Sequence, residues 1–252
     1  NQNIYGGGNE AIVQGNSNVT ITNATILGSA YGGGNGLPAT LQGNTNITID
    51  GNTTIGSNSS VSPTSGCVFG GGNQAVTGIS TNNSSTSTVN IVGATIYGNV
   101  YGGANTSVVY GNTVVNIGRN AVNNNALTAG NIFVRGHVFG GGEANASGSE
   151  IYDWNFISVT IGTHINIDAT SHTNFDINGS FYGGGNASSA SGDSYLSIKN
   201  YGTRNNPKHN ISIQRVTYAT IDNSSMLLAG AIDRANEYDN EKIIFKKYLN
   251  IK

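Results

Sequence analysis

Apolar residues recur along the chain in pairs separated by one polar residue. The pairs are Val19/Ile21, Ile47/Ile49, Val89/Ile91, Val115/Ile117, Val159/Ile161 and Leu196/Ile198. Alternation with period two puts both members of a pair on one face of a strand. The residues between them, Thr20, Thr48, Asn90, Asn116, Thr160 and Ser197, are then expected to face solvent. A second strand is predicted at Thr25-Ile26, Thr54-Ile55, Thr95-Ile96 and Ile165-Asn166-Ile167. A third, shorter one is predicted at Ala30-Tyr31, Val68-Phe69, Val100-Tyr101, Val138-Phe139 and Phe181-Tyr182.

The third strand runs into a phrase that occurs six times: an aromatic, three small residues and a polar residue. It begins at Tyr5, Tyr31, Phe69, Tyr101, Phe139 and Tyr182, and ends at Asn9, Asn35, Asn73, Asn105, Glu143 and Asn186. Successive aromatics lie 26, 38, 32, 38 and 43 residues apart, the spacing of a solenoid or array. Three strands per unit, each with one buried face, describe one coil of a single-stranded parallel β-helix. Its coils advance by about 4.8 Å. Equivalent residues then stack, so the aromatics are expected in one column and the Asn residues in another. The glycines are read as the corner of the coil, where φ > 0 and the lack of a side chain both help. Pro38, Pro63 and Pro207 all fall in the loops between strands, where no ladder hydrogen bond is lost.

Composition agrees with an all-β chain. Asn (38 residues) and Gly (37) make up about three residues in ten of the 252, too many poor helix formers for a helical protein. Charged residues are only 10%, unlike charge-rich disorder. Residues 1–198 carry eight acids and two bases; residues 199–252 carry five acids and nine bases. No Lys/Arg cluster is dense enough for nucleic-acid binding, and Lys242, Lys246 and Lys247 read as a solvated strand face. Cys67 has no partner for an internal disulfide and reads as a small buried hydrophobe. No run is apolar enough to enter a membrane. The chain opens just ahead of a repeat copy and is expected to be a monomeric internal segment of a longer protein. The division expected is 1–198, the repeat region, and 199–252, less regular coils or a cap on the same solenoid.

Candidate chemistry is sparse. Polysaccharide lyases and hydrolases on this fold need clustered carboxylates, yet residues 1–140 hold only Glu10 and Asp50. Residues 137–176 are richer: His137, Glu143, Glu150, Asp153, His164, Asp168, His172 and Asp176. Asp168 and His172 are expected around a turn rather than on a strand, and these residues as polar turn and rim positions. Candidate binding residues are Glu143, Asp153, Trp154, Asp168 and His172. No catalytic residue, metal ligand or cofactor is assigned. The Gly runs lack the Gly-Lys-Ser/Thr of a phosphate loop. The Thr20-Ile21-Thr22 triplet is not sustained as a column, which argues against ice binding.

The tandem aromatic-Gly-Gly-Gly-Asn phrases, each preceded by a Thr-Ile-x-Gly type strand, resemble the repeats of large bacterial cell-surface, adhesin-like proteins. The resemblance covers about residues 4–198. It implies a right-handed parallel β-helix related to the pectate-lyase superfamily, export and surface exposure. It carries no catalytic residues over. The expectation is a right-handed parallel β-helix of about eight coils, a structural and adhesive stalk without catalysis. Its partners would be extracellular glycans or surface proteins, not nucleic acid. The alternatives are a carbohydrate-active enzyme of the same fold and a phage tail-fibre or spike segment.

Overall fold

The computed structural model describes residues 2–57, 65–118, 131–144, 157–169, 172, 174–186 and 188–199. Beyond these it describes the strand backbones of 208–211, 218–222, 226–228, 242–245 and 249–251. Among them every regular element is a strand. The sequence features at Pro63, Arg119, Glu150, Asp153, Trp154 and Pro207 lie outside the described residues.

Most strands form three stacked parallel sheets, the arrangement of a β-solenoid, and Ile157–Val159 pairs with Ser189–Ala190 in a fourth, two-stranded parallel sheet. The longest strands make an eight-stranded sheet: Ser17–Thr22, Thr45–Asp50, Ser85–Ile91, Gly111–Ile117, Thr163–Asp168, Ser194–Lys199, Tyr218–Asp222 and Lys242–Phe245. A nine-stranded sheet holds the two-residue strands that end in the phrase aromatics, and continues through Lys208–Ile211, Met226–Leu228 and Leu249–Ile251. A third, five-stranded sheet comprises Thr25–Ile26, Thr53–Ile55, Ala94–Ile96, Ile132–Val134 and Phe175–Ile177. Two sheets thus run without interruption from the repeat region into 208–251.

Register follows the apolar pattern. Val19, Ile47, Val89, Val115, Ile165 and Leu196 are paired in turn, as are Ile21, Ile49, Ile91, Ile117, Ile167 and Ile198. A shift of one residue would turn each of these sets to the opposite face. Ile26, Ile55, Ile96, Val134 and Ile177 form the matching column of the short sheet. The columns meet in one core, and most members are fully enclosed. Each buried Ile or Val contributes about 1.5–3 kcal/mol relative to an exposed one.

The fifth unit differs from the sequence reading. Its long strand is Thr163–Asp168, with Ile165 and Ile167 in the core columns. Val159 instead bridges Val109 in a corner column with Val13, Leu41 and Thr77. Ile161 is exposed. The second strands of the fourth and fifth units are Ile132–Val134 and Phe175–Ile177. Two Val/Ile-x-Ile triplets occur close together here, and alternation fits either. Hydroxyls decide between them. Ser17, Thr45, Ser87, Thr113, Thr163 and Ser194 each stand two residues before an apolar pair, whereas Ile157 precedes Val159. Three of these hydroxyls donate to the first glycine carbonyl of the next phrase: Ser87 to Gly102 (2.7 Å), Thr113 to Gly140 (2.6 Å) and Thr163 to Gly183 (2.6 Å). Asn90 and Asn116 are buried, not solvent-facing. Their amides close a chain, Asn166 to Asn116 to Asn90, at 2.9 Å per step.

The phrase glycines serve close approach rather than left-handed backbone. A Cβ on Gly6, Gly32, Gly70, Gly102 or Gly140 would lie 2.2–2.4 Å from the first glycine carbonyl of the following rung. The left-handed residue is the one after the phrase: Glu10 (φ 55°), Gly36 (88°), Gln74 (54°) and Thr106 (52°). Gly70→Ala should therefore destabilise by about 1–3 kcal/mol through overpacking. Gly15→Ala, where a Cβ meets nothing within 4 Å, should stay within about 0.5 kcal/mol of wild type. Thermal midpoints by circular dichroism read the difference, and equal midpoints would contradict the close stacking.

Candidate functional site

The phrase and the residues just ahead of it build three adjoining columns. Tyr5, Tyr31, Phe69, Tyr101, Phe139 and Tyr182 form one stack of rings. Centroid spacings are 5.0, 4.9, 4.6, 4.9 and 4.7 Å and interplanar angles are at most 12°. The spacing is that of the parallel strands carrying them, so the rings meet face to face without distorting the backbone.

Four residues beyond each aromatic, the polar residues of the phrase bridge one another. Asn35 Nδ2 donates to Asn9 Oδ1 (2.7 Å), Asn73 Nδ2 to Asn35 Oδ1 (2.8 Å) and Asn105 Nδ2 to Asn73 Oδ1 (2.8 Å). Every amide points the same way, toward the preceding rung. Glu143 stands next and is buried.

The third column was not read from sequence. It consists of the residues two before each aromatic: Asn3, Ser29, Cys67, Asn99, His137 and Ser180. Each of the first five side chains accepts from the backbone N–H of the next member. The acceptors are Asn3 Oδ1 (2.8 Å), Ser29 Oγ (3.0 Å), Cys67 Sγ (3.2 Å), Asn99 Oδ1 (2.7 Å) and His137 Nδ1 (2.9 Å). The shared requirement is an acceptor, which Asn, Ser, Cys and neutral His all supply. That common property hides behind dissimilar side chains. Burial pushes the Cys67 thiol up to about 12, against a bond from the Asn99 amide that lowers it. It is a packed acceptor, not a nucleophile. Accepting at Nδ1 fixes the His137 proton on Nε2, and burial lowers its pKa.

The columns are cross-connected at one place. Asn99 Nδ2 donates to the Tyr101 hydroxyl (2.9 Å), which donates to Glu143 Oε2 (2.6 Å). Asn186 Nδ2 donates to the same oxygen (2.7 Å). Burial, then the neighbouring Glu143, raise the Tyr101 phenol well above its ordinary value. Burial also raises Glu143, while the bonds from Tyr101 and Asn186 lower it.

The other candidates lie elsewhere. Asp168 closes the strand Thr163–Asp168 and is buried, which corrects its placement on a turn at the rim. His172 Nε2 is 3.1 Å from the Gly118 carbonyl, its ring stands edge-on to Phe175, and its N–H donates to Ala169. Asp168 also packs at Gly118, so these two are brought to one corner. Glu143 belongs to the phrase columns and Asp176 is the middle residue of Phe175–Ile177 in the short sheet. Glu143, Asp168 and Asp176 therefore stand in three different parts of the coil. Among the described residues no group of three or more His, Cys, Asp or Glu is gathered to hold a metal. Asp153 and Trp154 lie outside the described residues. No protein-family profile, curated protein or solved structure matches this chain.

His137 gives a pH signature. Its folded pKa is depressed, so the stability it contributes is present above the ordinary histidine value of about 6.5 and is lost as pH falls through the lowered folded value. His137→Asn keeps an acceptor and removes the titration. Thermal midpoints of wild type and variant should diverge between pH 7.5 and 5, with wild type losing more. Parallel profiles would show that the imidazole is not a stacked acceptor.

Proposed function

We propose that this chain is a non-catalytic structural and adhesive segment of a large secreted or surface-anchored bacterial protein. It would be a right-handed parallel β-helix of about eight coils. The observation that carries the reading is the continuation of three stacked columns of positions through six phrases. Hydrogen bonds and ring contacts between rungs resist both bending and local opening, properties of a stalk. A handed crossover that returns a chain to the same parallel sheet is right-handed in nearly all proteins.

The outward faces of the long sheet carry Asn18, Thr20, Asn46, Thr48 and Thr88. Such a neutral, hydrogen-bonding surface suits extracellular glycans or surface proteins better than polyanions. An enzyme of this fold would bring two carboxyl groups within about 10 Å across a groove. Glu143, Asp168 and Asp176 stand on separate elements, and the first two are buried, which favours the adhesive reading. A labelled chain applied to a broad glycan array should bind a restricted set of glycans without shortening them. Release of reducing ends or unsaturated products from any polysaccharide would overturn the non-catalytic assignment. Absence of all binding would remove the adhesive half and leave a spacer.

A further inference from the structure

We propose that Glu143 is a proton-binding site that couples the cohesion of neighbouring rungs to pH. The polarity of the amide column carries the inference. From Asn9 to Asn105 each Nδ2 donates to the oxygen of the rung before. A donor from the next residue would continue the column at Asn105 Oδ1. A carboxylate has none, whereas a carboxylic acid has one. The donor that faces this oxygen is the Thr106 hydroxyl at 3.3 Å, longer than an ordinary O–H···O bond.

The other side of Glu143 already obeys the column. Asn186 Nδ2 donates to Oε2 with the required polarity, and the Tyr101 hydroxyl donates to the same atom. The Tyr101 oxygen accepts from Asn99, which leaves its O–H to donate to Glu143. With Oε2 engaged twice, Oε1 is the atom that takes the proton and passes it toward Asn105. The proton joins the run Asn9–Asn105 to the pair Glu143–Asn186. Without it, a buried carboxylate interrupts the column at that step.

The groups packed around the carboxyl do not compete for this proton. Burial keeps the Tyr101 phenol and the Cys67 thiol protonated, and the Nδ1 of His137 is occupied by the Ser180 N–H, its own titration being common to wild type and both Glu143 variants. Burial raises Glu143 itself, opposed only by the Tyr101 and Asn186 bonds. An acid whose folded pKa is raised contributes stability that is complete below its unfolded value, about 4.3. That stability is lost as pH rises through the folded value.

Thermal unfolding of the full chain, of Glu143→Gln and of Glu143→Asn between pH 4 and 8 tests this. Both variants carry a permanent amide donor. The wild-type midpoint should fall relative to both as pH rises, with the slope of one proton. Amide exchange gives a local readout in wild type alone, through the Thr106 N–H that donates to the Glu143 carbonyl at 2.7 Å. Its protection factor, corrected for intrinsic exchange, should fall about tenfold per pH unit between the two pKa values. It should stay flat in whichever variant folds. Parallel midpoint curves together with pH-independent protection at Thr106 would overturn the proposal.

Discussion

The structure depends on how closely one rung's backbone lies on the next. Parallel strands are fixed at about 4.8 Å, and at the phrase the approach leaves no room for a Cβ on the first glycine. Rungs that close cannot slip sideways, so every position falls directly above its equivalent. Like residues then meet like residues. Rings stack on rings, amides donate to amides, and acceptors two positions before the aromatic receive the next backbone N–H. Buried polar groups are costly when unpaired, and the column geometry satisfies most of them by repetition. Among the described residues, the Ser17, Thr45 and Thr77 hydroxyls are the buried side-chain oxygens that find no partner.

This organisation separates the interior from the surface in an unusual way. The polar residues that a sequence reader would assign to solvent, Asn90, Asn105, Asn116 and Glu143, are interior. What the described residues leave outside is mostly hydroxyls and amides, with single exposed apolar residues such as Leu37 and Ile12 and single charges at Glu10, Arg135 and Asp193.

The parallel architecture was legible because period-two pairs and the glycine phrase are local signals that repeat. Repetition also exposed the shared place of the aromatics in each unit, despite separations of 26 to 43 residues. The fifth unit was misread because Val159-Thr160-Ile161 and Ile165-Asn166-Ile167 carry the same alternation, and only the hydroxyl at Thr163 marks the true register. The acceptor column was invisible for a different reason. Asn, Ser, Cys and His share no hydropathy, only a lone pair directed along the axis, and direction is set by the backbone. The burial of Asp168 likewise follows from its position at the end of a long strand, which the misread register had displaced.

Register between consecutive phrases is the central claim, and an engineered disulfide tests it most directly. Asn35 and Asn73 are 38 residues apart in sequence yet bridge each other on adjacent rungs. Disulfides form only when Cα atoms lie within about 7 Å. In a Cys67→Ser background, Asn35→Cys with Asn73→Cys should oxidise completely under mild conditions. Asn35→Cys with Asn105→Cys, two rungs apart, should remain reduced. Failure of the first pair, or equal oxidation of both, would contradict a solenoid whose rungs are locked in columns.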